Sequence, residues 1–332
     1  MDLDDNNYLN VQRLCGHAIW VFIYWLEYID KRNLSEEQSK FMYNLKINYV
    51  GWLISTSGYF DKSIDGNWKK YTNNINEGTI IEDVGVILNT DNFKQFIKML
   101  YYNVINRTNI QVCLLHPIFF NNDNNIPNII YNEVIECKKY ILQNYQTNVK
   151  INTAFAIELN ANKLFKACNY KDIIIINLFA DLIRDHYNSG KVKEYYNKYS
   201  NYDNNTIIPS FKSVSSIELP YTFGNGINEQ KYNNFFEMLE YIKTLIDEHK
   251  DYYDIAIISA GVYTSFIADY IDKIKCKKFI SCGRGLNNIF CIKYKHTDYS
   301  VCDKFNIEPY LCDIPNKYKL KNYYTIEEGC YW

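Results

Sequence analysis

The segment from Asp254 to Ser281 constrains the fold more than any other stretch of the chain. Asp254–Ser259 (DIAIIS) reads as a strand, Ala260-Gly261 as a turn, Tyr263–Ile274 as a helix and Lys278–Ser281 (KFIS) as a second strand. A strand, a helix and a strand in that order make a βαβ unit, whose two strands run parallel through a crossover. Upstream, Ile173–Leu178 (IIIINL) is a near-continuous aliphatic run. Such a run suits a strand covered on both faces, as strands of parallel sheets are. The expected fold is therefore α/β: a doubly wound, mostly parallel, Rossmann-like sheet with helices on both faces.

The remaining elements fall around this unit. Residues 8–32 read as one helix, and Ser35-Glu36-Glu37 caps a second that reaches about Val50. Helices are also expected at 68–75, 91–102, 131–145, 161–167, 180–199 and 229–249, with Phe235, Leu239, Ile242 and Ile246 at helical spacing in the last. Short strands are expected at 84–88, 110–115 and 149–156, and polar loops at 55–66, 121–128 and 201–209. The tail, 297–332, reads as irregular. The working division is 1–150, a helical and α/β part, and 151–332, a Rossmann-like part with that tail; one continuous domain is the alternative.

Bulk properties exclude several classes. Lys and Arg number 36 against 38 Asp and Glu, so no global positive field would hold nucleic acid. The strongest apolar run, Ile19–Leu26, is eight residues long, whereas a membrane span needs about 20. The first residues are acidic, without the basic start of a signal peptide; the expected location is cytoplasmic. The ten cysteines form no C-x-x-C pair, which argues for reduced thiols rather than a zinc ribbon. The 32 tyrosines, with abundant Asn, Ile and Lys, reflect A/T-rich coding and suit a source such as a large DNA virus, in which case the location is the host cytoplasm.

Two turns carry candidate chemistry. In Ser259-Ala260-Gly261-Val262-Tyr263 a strand ends, a glycine permits close backbone approach and a helix begins. A helix N-terminus offers unpaired N–H groups to an anion such as a diphosphate; the plainer alternative is a tight βα turn. The second stretch, Ser281-Cys-Gly-Arg-Gly-Leu-Asn-Asn, sets Arg284 between Gly283 and Gly285. A guanidinium there can clamp a phosphate bidentately, and Asn287 can hydrogen-bond a sugar, ribose or base; a surface hairpin is the alternative. No Walker G-K-[ST] sequence occurs, and the five histidines suggest no triad.

These stretches resemble the C-terminal signature of a family of GT-D-like glycosyltransferases of polysaccharide and glycan biosynthesis. Asp254-Ile-Ala-Ile-Ile-Ser-Ala-Gly-Val-Tyr263 with Ile267-Ala268 matches one block of it. Gly283, Phe290, Ile292, Lys293 and Lys295 match a second, where Arg284, Asn287, Cys291 and His296 stand at departed positions. Ile173–Phe179, Pro209-Ser-Phe211 and Ser57-Gly58-Tyr59-Phe60 resemble looser upstream elements.

The resemblance implies transfer of a sugar from a nucleotide-diphosphate donor to the hydroxyl of a glycan or other acceptor. The two turns and the resemblance together point to donor binding by Ser259, Gly261, Tyr263, Gly283, Arg284, Gly285, Asn287 and Lys293, and the resemblance implies an acceptor side at Ser57, Gly58 and Phe60 and a Mn²⁺ or Mg²⁺ ion. The family's Asp-x-Glu motif has no counterpart, and His17 stands where an acid would be sought. Asp61 and Asp65 are the candidate catalytic carboxylates; solvated turn residues are the alternative reading of both. Arg13 and His17 are further candidates, with Arg13 and Arg184 as possible phosphate contacts. A non-catalytic nucleotide- or sugar-binding or structural protein derived from the same fold is the rival reading.

Overall fold

The computed structural model describes residues 161–220, 235–261, 263–282, 285–293 and 308–319, together with short pieces before them: 11–15, 35–36, 80–81, 86–87, 95, 99, 111–115 and 149–151. The strands are β1 (Val11–Cys15), β2 (Ile80–Ile81), β3 (Val86–Ile87), β4 (Gln111–Leu115), β5 (Val149–Ile151), β6 (Asp172–Asn177), β7 (Ser213–Glu218), β8 (Ile255–Ser259) and β9 (Lys278–Ser281). The helices are α1 (Ala161–Ala167), α2 (Ala180–Asn188), α3 (Lys191–Tyr199), α4 (Phe235–Glu248), α5 (Tyr263–Lys273) and α6 (Gly285–Ile289). One-turn 3₁₀ helices at Glu308–Tyr310 and Asn316–Tyr318 follow.

Seven strands form one sheet in the order β5-β4-β1-β9-β8-β6-β7, and every pairing in it is parallel. The expected parallel α/β fold is what the chain adopts. Strands from before and after residue 150 share the sheet, joined where Val11 pairs with Ile280. Among the described residues no helix is long and apolar enough to cross a membrane.

The sheet's two faces are set by strand alternation. Ile173, Ile175, Ile255, Ile257 and Ile280 share a core cluster with Leu164 and Phe165 of α1, Ile183 and Tyr187 of α2, Val192 and Tyr196 of α3, and Leu286 and Ile289 of α6. Ile174, Ile176, Ala256 and Ile258 alternate with them and are equally buried, so they serve the opposite layer, where α5 packs on β8 and β9 and α4 packs on α5. Double coverage explains why β6 is apolar from Ile173 to Ile176, with all six strand residues buried.

The amino edge is fastened by polar contacts. The Asp172 carboxylate accepts from Lys212 Nζ at 2.7 Å and from Ser213 Oγ at 2.6 Å. Asp254 answers from β8's side: its N–H donates to Asp172 O at 2.7 Å, and its Oδ2 accepts from Asp172 N at 3.1 Å. The first residue of the DIAIIS motif thus sets register at the end of the sheet opposite the strands' carboxyl ends. Lys212 and Ser213 hold Asp172 below the usual carboxylate range, and the Asp172 N–H and Tyr252 do the same for Asp254.

Four expectations are corrected. Residues 11–15 are a strand, not part of a helix over 8–32; Val-Gln-Arg-Leu-Cys lies between β4 and β9, where pairing on both sides overrides the helical pull of the apolar run that follows. The strand expected at 84–88 pairs antiparallel with Ile80–Ile81 in a separate two-stranded piece. The helix expected over 180–199 is two helices, broken at Ser189-Gly190, where Gly190 takes φ of +85°. Gly285 to Ile289, expected as part of a turn or hairpin, forms the short helix α6. The strand β7 was not expected: its Ser-rich sequence suits an edge strand with alternating burial.

Candidate functional site

In a doubly wound sheet ligands bind beyond the carboxyl ends of the strands, where neighbouring strands send their connections in opposite directions. That point lies here between β6 and β8. From β6 the chain moves outward through α2 and α3 to β7, and from β8 it moves the other way through α5 to β9.

The register brings a polar row to this edge. Asn177, the last residue of β6, pairs with Glu218 of β7 on one side and Ser259 of β8 on the other. Asn177 is buried, and its side chain ties the two strands: Nδ2 donates to Ser259 O at 2.8 Å, and Oδ1 accepts from Phe179 N at 2.7 Å. Leu219 N donates to Asn177 O at 3.0 Å. One side chain therefore closes the base of the crevice.

Beside it, β8 turns into α5. Ala260 is buried and its N–H donates to Thr264 Oγ1 at 2.8 Å. Tyr263 N and Thr264 N donate to Ala260 O and Gly261 O at 3.1 and 3.2 Å. Gly261 stands exposed between these buried neighbours with φ of +56°, a left-handed conformation that glycine adopts without steric cost. The sequence makes the corner by ending an aliphatic strand with Ser-Ala-Gly.

β9 lies directly alongside. Ile258 pairs with Ser281, and Cys282 N donates to Ile258 O at 2.7 Å. Ser281 is buried and its Oγ has no hydrogen-bond partner among the described residues. The strands that Gly261 and the 283–285 stretch follow in sequence are thus parallel neighbours.

The expected site residues separate into groups. Ser259, Gly261 and Gly285 lie at or just past the strands' carboxyl ends. Asn287 is on α6 and buried. Tyr263 is a core residue: it is buried, with its ring stacked on Phe235 at 4.5 Å and 14°. Lys293 is already ion-paired, at 3.2 Å from Asp313 and 3.5 Å from Glu308. Arg184 faces protein acceptors: Asp181 at 2.9 Å, Asp185 at 2.8 Å and Ser216 Oγ at 2.7 Å. Arg13 is in the middle of β1, with its backbone alone described. Gly283, Arg284, His17, Ser57, Gly58, Phe60, Asp61 and Asp65 lie outside the described residues.

Residues that sequence reading missed are Asn177, Glu218, Asp181 and Tyr318. Glu218 is half-buried at the end of β7; burial pushes its carboxyl up, while Tyr318 Oη, donating at 2.8 Å, and the Asp181 N–H at the start of α2 pull it back. Asp181 also accepts from Ser216 Oγ at 2.5 Å. The available signal was positional: Asn177 is the first polar residue after four isoleucines, and Glu218 ends an alternating run.

Among the described residues no three His, Cys, Asp or Glu side chains gather to hold a metal ion. His249 lies 3.2 Å from Ser215 Oγ and 3.9 Å from Asp251 Oδ2, but both contacts use Nε2. A nucleophile–base–carboxylate relay needs both ring nitrogens, so this set is not a triad.

No family model matches the chain, and neither a curated protein nor a solved structure matches it.

Proposed function

We propose that the chain is a glycosyltransferase that binds a nucleotide-diphosphate sugar at the carboxyl edge of β8 and β9 and passes the sugar to an acceptor hydroxyl. The observation that supports this most is the neighbouring register of those strands, with an exposed left-handed Gly261 at the first corner. Backbone can approach a diphosphate closely there, and amides near a helix N-terminus favour negative charge.

In the reaction the acceptor oxygen forms a bond to the anomeric carbon while the bond from that carbon to the diphosphate oxygen breaks. The nucleoside diphosphate leaves with the electron pair, and the acceptor proton passes to a base. Gly261 and the 283–285 turn would cradle the leaving group, and Arg284 would balance its charge. Asp61 and Asp65 are the proposed bases, with Ser57, Gly58 and Phe60 on the acceptor side. The described residues offer no donor set that fits Mn²⁺ or Mg²⁺, and no step is assigned to a cation. A cytoplasmic location and a viral source belong to the same proposal.

One observation favours the rival, a non-catalytic binding protein on the same fold. Lys293, which the resemblance assigns to the donor, is held by two carboxylates.

Thermal unfolding of the full chain with UDP, GDP and their sugars, with and without Mn²⁺, tests the binding. Stabilisation follows RT ln(1 + [L]/Kd), so ligand at about 100 times Kd should add about 2.7 kcal/mol. A nucleotide-dependent rise that Gly261→Val abolishes supports the site. Release of nucleoside diphosphate with mixed acceptors separates transfer from binding alone; no shift with any nucleotide refutes both.

A further inference from the structure

Residues 308–319 run from α2 and α3, past 291–293, to the carboxyl end of β7. Ile314 and Tyr318 are buried in the core cluster that includes Phe179, Leu286 and Phe290. Tyr318 meets Phe179, just past the end of β6, edge to face at 5.4 Å, and donates to Glu218 at the end of β7 at 2.8 Å. Cys312 bridges Ile292 in parallel, with Cys312 N donating to Cys291 O and Lys293 N to Cys312 O, both at 2.8 Å. His186 Nε2 lies 2.9 Å from Tyr310 O.

These contacts differ in kind from those that hold the sheet. Among the described residues, two backbone hydrogen bonds join the segment to 291–293, against the continuous ladders of β6 with β7 and β8. The ion pairs of Lys293 reach partners whose side chains are 52% and 82% exposed, Glu308 and Asp313; such exposed pairs add little. Beside the apolar Phe179, Leu286 and Phe290, the segment also covers one carboxylate, Glu218. Burial already penalises the Glu218 carboxylate, so covering this end of the edge carries a desolvation cost that release would relieve.

We propose that residues 308–319 are a releasable strap that opens while the sheet stays intact, uncovers the carboxyl ends of β6 and β7 at Phe179 and Glu218, and is latched by the Tyr318–Glu218 hydrogen bond. The strap rests on its own contacts and holds for any ligand of this edge, so its failure leaves the sugar-transfer reading standing.

Hydrogen exchange of the full chain, resolved by peptide mass spectrometry, tests it. In the wild-type protein the amides of Leu311, Cys312, Tyr318 and Lys319 should exchange through an opening that leaves β6 and β8 protected. Tyr318→Phe removes the latch and keeps the ring. It should speed strap exchange about tenfold, the worth of a hydrogen bond to a charged group, with β6 and β8 unchanged. If strap and strands exchange at one common rate in the wild-type protein, the segment is a fixed brace and the proposal fails. If the strap opens alone but Tyr318→Phe leaves its rate unchanged, the latch is wrong. Should that variant unfold, Ile314→Val, which trims a buried strap side chain, provides the second comparison: faster exchange confined to the strap supports release, and unchanged exchange or acceleration shared with β6 and β8 refutes it.

Discussion

Replacing Asn177 examines the claim that one side chain joins β6 to β8 at the edge where a ligand would bind. Asn177→Leu keeps the size and removes both polar atoms. It removes Nδ2, the donor 2.8 Å from the Ser259 carbonyl, and Oδ1, the acceptor 2.7 Å from the Phe179 N–H, in buried surroundings. Each unsatisfied buried group costs about 1–3 kcal/mol, so the loss for the two is about 2–6 kcal/mol. For a chain of 332 residues, an unfolding entropy of about 2.1 cal/mol/K per residue converts 3 kcal/mol to roughly 4 °C in Tm. Asn177→Asp refines the test, because it keeps the acceptor for Phe179 and sets a carboxylate against the Ser259 carbonyl. The folded state then favours the protonated acid, so its pKa lies above the unfolded value. Its deficit against wild type should be small below the ordinary Asp range and grow as pH rises through the folded value. The assay is urea unfolding at pH 4.5 and 7.5. A Leu variant within about 0.5 kcal/mol of wild type, the spread of ordinary surface substitutions, or an Asp variant with a pH-independent deficit, would refute the bridging role.

Further outcomes follow from local geometry. An added Cβ at Gly190 meets no atom within 4 Å, so with φ at +85° its cost is backbone strain alone. Gly190→Ala should lose about 1 kcal/mol and Gly190→Asn less, since Asn tolerates the left-handed region; equal losses by chemical denaturation would contradict this. Burial holds His186 and His249 below the ordinary imidazole value. The unfolded chain then binds those protons first as pH falls, so stability is full above about 6.5 and declines below it. Glu218, raised chiefly by burial, has the opposite sign: its contribution is present below the ordinary Glu range and lost as pH rises. Asp172, Asp247 and Asp254, held low by hydrogen-bond partners, lose theirs below about 4. Tm should therefore fall between pH 6.5 and 5, and His186→Gln should shrink that fall; a flat profile would show that the buried histidines are not the cause.

The sheet was readable because its central strands are buried on both faces, which writes IIIIN and IAIIS as uninterrupted apolar runs. The helix of Ala161–Ala167 appeared in the same way, from local spacing. β7 was hidden because an edge strand needs one apolar face, and Ser213-Val-Ser-Ser-Ile-Glu alternates polar with buried in a way that serine makes faint. Strand order was not written locally at all. That β8 returns between β9 and β6 is decided by packing across the sheet, and it moves the connection reversal to Asn177, a residue that reads alone as the end of a strand. Gly261 was legible as a corner, since a positive φ after a strand calls for glycine. Tyr263 and Lys293 were not: ring stacking on Phe235 and ion pairs to Asp313 and Glu308 join residues distant in sequence.

The polar row and the glycine corner together limit where a ligand can lie. Asn177 joins the ends of β6 and β8 with a 2.8 Å hydrogen bond, so nothing inserts between those strands at the level of the sheet. Tyr318 and Phe179 cover the β6–β7 end with buried rings. On the β8 side Ala260 is buried and its N–H is taken by Thr264, which leaves Gly261 as the exposed backbone among the described residues of that corner. A ligand of the proposed site that approached the closed strap would therefore meet β8 at Gly261 and extend toward β9. Opening of the strap would extend the same edge to Glu218, two strands away through Asn177. A small anion needs only the first region, whereas an anion carrying a second polar group at its far end would use both. Strap exchange measured with inorganic pyrophosphate and with a nucleotide sugar distinguishes these cases: faster exchange of 308–319 with the larger ligand alone means that the two regions act as one site.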